Sequence, residues 1–345
     1  MIDKLDSYHE PHEHHEPYVQ YLLLNNKSRK ANTDILRFKF RNLSKSSCWF
    51  VWFVVNIFIV PYFFISCSRE TQHDIIIAVS IPPQAWFVSQ IAGEKAAPLI
   101  LVPPGQNPHN YEPTPRQIQS LASASAWILS GSEFEISLRP KIEKLFPNLR
   151  IIDGTEGVNF RLLDEHDCDD YHDLSDNCSL LSDTSIDRHT WLGGPPAKIL
   201  AEHIKNTLCN IDNDNEKYYS ERYVTLINEI DNTFNELKIM LSQLNGKSVF
   251  VYHPSFGYFL DEFGIIQEAV EMGGKEPTPR QLNALMEKIS TEKPAAIFVQ
   301  AQFPVNAART IANAAGAQII ELDPLAKNWL ENIKFMGQNL KDIIK

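Results

Sequence analysis

Cysteine is scarce in this chain: five residues, Cys48, Cys67, Cys168, Cys178 and Cys209, with no CxxC pair among them. That count is too small for a disulfide scaffold, so each cysteine is read on its own. Positive charge is also in deficit. Lys and Arg total 32 against 43 Asp and Glu, a formal net charge of −11, so nucleic acid is disfavoured as a partner and cations are attracted. No HExxH segment is present, which removes the commonest helix-borne signature of a zinc hydrolase. What is abundant is apolar content. At 345 residues and 43% hydrophobic, the chain exceeds the ~100–200 residues usual for one domain. It has enough for two cores.

Residues 48–66, CWFVWFVVNIFIVPYFFIS, form a long apolar run interrupted by Asn56 and Pro61. A basic stretch precedes it, with Lys27, Arg29, Lys30, Arg37, Lys39, Arg41 and Lys45. This is the order of an export signal. The run ends in Phe64-Ile65-Ser66-Cys67, which resembles a bacterial lipobox with Phe64 where Leu is preferred; the resemblance implies lipidation of Cys67. An uncleaved anchor is the alternative, since about 18 apolar residues span a bilayer. Either way the residues after Ser68 are expected outside the cytoplasmic membrane, because positive residues stay inside. Residues 1–67 are thus a leader and lipoprotein-type export signal. Its first part, with His9, His12, His14 and His15 among glutamates, has a spacing able to chelate metal, but a cleaved leader would discard it, and the extension reads as the product of a start site assigned too early. Leaving out residues 1–67, with eight Lys/Arg and six Asp/Glu, leaves 24 and 37, a net −13.

Beyond the leader, strands and helices alternate, which predicts an α/β fold. Strands are expected at 75–81, 98–102, 126–130, 248–252, 295–300 and 317–322. Helices are expected at 84–92, 115–124, 256–262, 279–290, 305–315 and after 327. Apolar residues recur at helical spacing from 214 to 244, with Tyr223, Leu226, Ile230, Phe234, Leu237 and Leu241 near one face, so a long helix is predicted, ended by Asn245-Gly246. Residues 164–187 are acidic, lack apolar periodicity and read as a long loop. The organisation is an N-terminal lobe at 75–210, a linking helix at 211–245 and a C-terminal lobe at 246–345. Both lobes are expected to hold parallel-rich sheets flanked by helices.

Four polar residues stand just past predicted strands or in short loops beside aromatics and prolines: His109, His189, His253 and Asp323. In open parallel sheets, ligands bind outside the carboxyl ends of the strands. Taken singly, each has an ordinary reading as well: His253 before Pro254 suits a helix start or a core site, and Asp323 before Pro324 suits a helix N-cap.

Together they resemble a family, the zinc and manganese solute-binding proteins of bacterial ABC importers, over residues 75–340. The resemblance rests on Val102-Pro-Pro-Gly-Gln-Asn-Pro-His109-Asn-Tyr-Glu-Pro, Asp187-Arg-His189-Thr-Trp-Leu192, Tyr252-His253-Pro-Ser-Phe-Gly-Tyr-Phe259 and Glu321-Leu-Asp323-Pro-Leu325. It departs at Arg188, where proline is common, and at Gly193-Gly194-Pro195-Pro196, where relatives carry an acidic or small residue and one proline. It implies a monomeric, periplasmic or cell-surface receptor, not an enzyme, that binds a divalent metal and passes it to a membrane permease. His109, His189, His253 and Asp323 are the implied ligands. Three imidazoles and a carboxylate suit Zn2+, whereas manganese prefers more oxygen and its receptors carry Glu where His253 stands. A manganese receptor and a surface adhesin are the alternatives. The loop with His166 and His172 lies where zinc-selective relatives carry a histidine- and acid-rich insertion; it reads as a solvated surface or an accessory metal collector. Cys168 and Cys178 within it are placed for a disulfide in an oxidising compartment, which leaves Cys209 unpaired.

Overall fold

The computed structural model describes residues 75–163, 186–270, 279–292, 294, 296–300, 302, 309, 311–313 and 316–343. The leader with Cys67, most of the acidic loop with Cys168 and Cys178, and most of the helix expected at 305–315 lie outside the described residues. Among the described residues, no helix is long and apolar enough to cross a membrane.

The first sheet begins with β1 (Ile75–Val79), whose β-branched run has both faces covered, as a parallel strand requires. Helix α1 (Pro82–Ala92) starts on the two prolines themselves. The first turn of a helix has no use for those missing N–H groups, so the Pro-Pro pair ends the strand and opens the helix in the same step. Then follow β2 (Ala96–Ile100), α2 (Pro115–Ser120), β3 (Ala126–Leu129), α3 (Glu133–Leu145) and β4 (Arg150–Asp153). All four strands are parallel in the order β2-β1-β3-β4.

Two helices lead out of this sheet. Helix α4 (Gly194–Ile211) begins at the unusual Gly-Gly-Pro-Pro run. A Cβ on Gly193 would stand 3.0 Å from the Tyr258 side chain, and one on Gly194 3.3 Å from the Phe234 ring. The glycines therefore permit a close approach that larger residues would widen. Helix α5 (Glu216–Met240) is the long helix, about 37 Å at 1.5 Å per residue. It buries Tyr219, Leu226, Ile230, Thr233 and Leu237, with Tyr223 and Phe234 half-buried beside them. The helix was expected to run to 244; instead its regular part stops at Met240 and a 3-10 turn, Ser242–Leu244, carries the chain to Gly246 at φ 75°.

The second sheet repeats the first. Strand β5 (Ser248–Val251), helix α6 (Gly257–Asp261), β6 (Ile266–Ala269), α7 (Pro279–Glu292), β7 (Ala296–Val299) and β8 (Gln318–Glu321) are followed by α8 (Trp329–Asp342). The strands are parallel in the order β6-β5-β7-β8. One core joins the two halves. It runs from Ile77, Trp127 and Phe87 through Ile230 and Leu237 of α5 to Val251, Phe298 and Trp329. Trp191 Nε1 donates to Pro324 O at 2.8 Å and Trp329 Nε1 donates to Trp191 O at 2.6 Å, so the indoles are paired as well as buried.

Each sheet has a crevice where the chain reverses its direction of winding, between β1 and β3 and between β5 and β7, and a buried glutamine closes each. Gln84 Oε1 accepts from Ser80 N (2.8 Å) and Ile81 N (3.2 Å), while its Nε2 donates to Ile128 O and Leu129 O. Gln300 Oε1 accepts from His253 N at 3.2 Å, and its Nε2 donates to His253 O and Ser255 Oγ. Removing the first amide would take a hydrogen-bond partner from four buried backbone groups. Gln84→Leu should lower unfolding free energy by about 2–4 kcal/mol with an unchanged denaturant slope. Urea unfolding measures it, and a loss below about 0.5 kcal/mol would show that the amide is not the clasp.

Candidate metal centre

The three histidines converge from three separate loops. His109 sits in a 3-10 turn (Pro108–Asn110) after β2, with Asn107 Oδ1 accepting from its backbone N at 2.9 Å. His189 opens the 3-10 turn Thr190–Leu192 ahead of α4. His253 stands two residues past β5. His189 and His253 are buried, and the His109 side chain is 26% exposed. The Nε2 atom of His253 lies 2.9 Å from Nε2 of His109 and 3.2 Å from Nε2 of His189. Their rings pack edge to face at centroid distances of 4.7–5.2 Å. These three residues group as donors able to share one metal ion.

A carboxylate holds the far nitrogen of two of the rings. Glu133 Oε2 is 2.9 Å from His109 Nδ1, and Asp187 Oδ1 is 2.8 Å from His189 Nδ1. Carboxylate acceptors select the Nδ1–H tautomer, which leaves each Nε2 with a bare lone pair directed into the cluster. Asp187 Oδ1 also accepts from His189 N at 3.0 Å, fixing the backbone with the ring. Burial tends to raise the Glu133 carboxyl, but the hydrogen bond and charge of His109 outweigh it and its pKa is lowered. Two residues on, Glu135 is fully enclosed. It accepts from Ser130 N, Ser130 Oγ and Gly131 N at 2.8–2.9 Å, yet burial pushes it up to about 7. These bonds shape the turn from β3 into α3 and so present Glu133.

Asp323 stands apart from the imidazole cluster. It follows β8 by two residues, as His253 follows β5, and its Oδ1 accepts from Gln302 Nε2 (2.7 Å) and Leu325 N (2.9 Å). The aspartate was read as either ligand or helix cap; the second contact closes a local turn, and the helix that follows starts at Trp329 with Asn328 at its N-cap. Asp187, which ends the acidic run and begins the His189 motif, is fully buried. Arg188, where proline is common, donates from Nη1 to Gly131 O at 3.0 Å and brings its Nε to 4.0 Å from Glu133 Oε1. Glu133 and Glu135 carried no signal in the sequence. Only the close return of α3 onto the His109 turn gives them a role.

A family model described as zinc-uptake complex component A, periplasmic, matches residues 77–345. The chain belongs to this family. A crystal structure of ZnuA superposes with a TM-score of 0.71 at 29% identity, covering 79% of this chain and 99% of that one. A ZnuA deletion mutant with zinc bound gives 0.69 at 30% identity, with 78% and 97% covered. The zinc-binding lipoprotein AdcA of Streptococcus pneumoniae is 25% identical over 293 residues, 82% of this chain. This chain spans 56% of the AdcA length.

His253 gives the site a pH signature of its own. Burial first, then the neighbouring His189 and His109, hold its pKa well below the usual imidazole value of 6.5. The unfolded chain therefore takes up a proton that the folded chain refuses, and stability contributed by the neutral ring is lost as pH falls through 6.5. The melting temperature of the metal-free protein should drop between pH 7.5 and 5, and by less in His253→Gln. Parallel curves for the two proteins would contradict this.

Proposed function

We propose that this chain is the extracytoplasmic receptor of a metal ABC importer, capturing one Zn2+ and handing it to the membrane permease. The convergence of three Nε2 atoms carries the reading. Imidazoles whose Nδ1–H groups are committed to carboxylates offer only lone pairs at Nε2, and a shared proton can satisfy at most part of such a trio. One divalent cation satisfies all three. On a tetrahedral zinc with bonds of ~2.0–2.1 Å, neighbouring nitrogens stand about 3.3–3.4 Å apart, so the 2.9 and 3.2 Å separations need open by only a few tenths of an ångström.

Zinc is favoured over manganese because the cluster is all nitrogen. Asp323 is the proposed fourth ligand, supported by its place at the carboxyl end of β8 in the same sheet as His253. Closure of the sphere by a fourth protein donor leaves no position for a reactive water, so the ion is cargo and the chain performs no catalysis. The family description and the zinc-bound relative support the same reading. Capture outside the membrane also suits the acidic surface, which concentrates cations near the site.

Calorimetric titration of the chain from residue 68 onward is expected to give one tightly held zinc per molecule. Affinity should fall on acidification, because ligating imidazoles must be unprotonated. His253→Ala should weaken binding a hundredfold or more, about 3 kcal/mol, and Asp323→Ala by a smaller factor. Equal binding by wild type and His253→Ala, or none by either, would sink the proposal.

A further inference from the structure

Arg161 lies outside every motif that pointed to the site, yet it touches both halves of the molecule beside it. Its side chain is 16% exposed. Nη1 donates to Asp187 Oδ2 at 3.3 Å and Nε donates to Asp261 Oδ2 at 2.8 Å. The backbone is committed too: Arg161 N donates to Tyr258 Oη and Arg161 O accepts from Asp187 N, both at 2.9 Å. Tyr258 Oη in turn donates to Asp187 O at 2.9 Å. Gly257 makes room for this arrangement, since a Cβ there would stand 2.6 Å from the guanidinium carbon.

We propose that Arg161 is a positioning residue for metal capture. It holds the carboxylate of Asp187, which holds the His189 ring, and it ties that carboxylate to α6, the helix that follows His253. Ligands from the two halves are thereby kept in register. This inference rests on the histidine cluster being the metal site.

The chemistry explains the choice of residue. Asp187 is 0% exposed, and a carboxylate in that setting is held in place only by charge and hydrogen-bond partners. His189 supplies two of these through Oδ1, and Arg161 supplies the positive charge at Oδ2. The guanidinium is planar and presents N–H groups in separate fixed directions, so it can serve Asp187 and Asp261 at once. Lysine has one nitrogen at the end of a flexible stem and cannot reproduce both directions. The Asp261 pair is half exposed and adds little by Coulomb attraction alone. Its effect is to fix which way the fork points.

The test measures zinc affinity by chelator competition, zinc dissociation rate by chelator trapping, and the Nδ1–H proton resonances of His189 and His109 in the loaded chain. Arg161→Met should raise the zinc Kd by about ten- to a hundredfold, the usual consequence of losing an outer partner of a ligating histidine. It should shift the His189 resonance and leave that of His109 in place. Adding Asp187→Asn to it should cost little more, because both changes cut one link. Arg161→Lys should recover only part of the affinity, and it keeps the test open if Arg161→Met does not fold. Asp261→Asn should speed zinc dissociation while leaving the His189 resonance in place. Unchanged affinity and an unmoved His189 resonance in folded Arg161→Met, with wild type binding zinc normally, would overturn the positioning role alone. Losses fully additive with Asp187→Asn would overturn it as well. Failure of the wild type to hold zinc would instead remove the site reading beneath it.

Discussion

Lone pairs that point at one another repel, and most of the structure around the centre serves to impose that condition. Glu133 and Asp187 commit the Nδ1 atoms of His109 and His189, so both rings turn a bare Nε2 inward. His253 brings a third nitrogen from the other sheet to within 2.9 and 3.2 Å of these two. Burial disfavours protonation of His253, so the trio is not readily relieved by acid uptake at neutral pH. A site prepared in this way gains more from a cation than a flexible one would, because the rings need little reordering when it binds.

Holding three loops to this tolerance requires a rigid frame, and the frame is built twice. Each half winds four parallel strands in the same relative order, and the second half sets His253 and Asp323 two residues past β5 and β8. In each, a buried glutamine ties the strand ends across the crevice, Gln84 in one and Gln300 in the other. Gln300 bonds to both backbone groups of His253, so the clasp of the second sheet also holds one imidazole of the cluster. The continuous core through α5 and the reciprocal Trp191–Pro324 and Trp329–Trp191 bonds hold the sheets against each other. Side-chain packing of this kind fixes relative position because cores are close-packed and tolerate little displacement.

The three histidines were legible because each is a polar residue placed beside strand ends, prolines and aromatics in short, recognisable segments. Strand patterning located β1, β3, β5 and β7 to within about two residues for a simple reason: buried parallel strands are largely apolar. Helix α3 was not legible, since Pro140 interrupts it and its polar residues outnumber its apolar ones. Nor was α4, because Gly193-Gly194-Pro195-Pro196 reads as a break until the approach of Tyr258 and Phe234 explains it. The carboxylates and arginines around the histidines were beyond reach for a deeper reason. Glu133 meets His109 across 24 positions and Arg161 meets Asp261 across 100, and no local pattern encodes such a pairing. Asp187 illustrates the ambiguity: the same residue ends an acidic run and forms a buried anchor, and only tertiary packing separates the two.

The central claim is that the three imidazoles hold one zinc ion together. X-ray absorption at the zinc edge of the loaded protein tests it most directly. The account predicts a first shell dominated by nitrogen at ~2.0–2.1 Å, with the outer-shell scattering of three imidazole rings that falls to two in His253→Ala. A shell of oxygen without imidazole scattering, or one unchanged by His253→Ala, would contradict it.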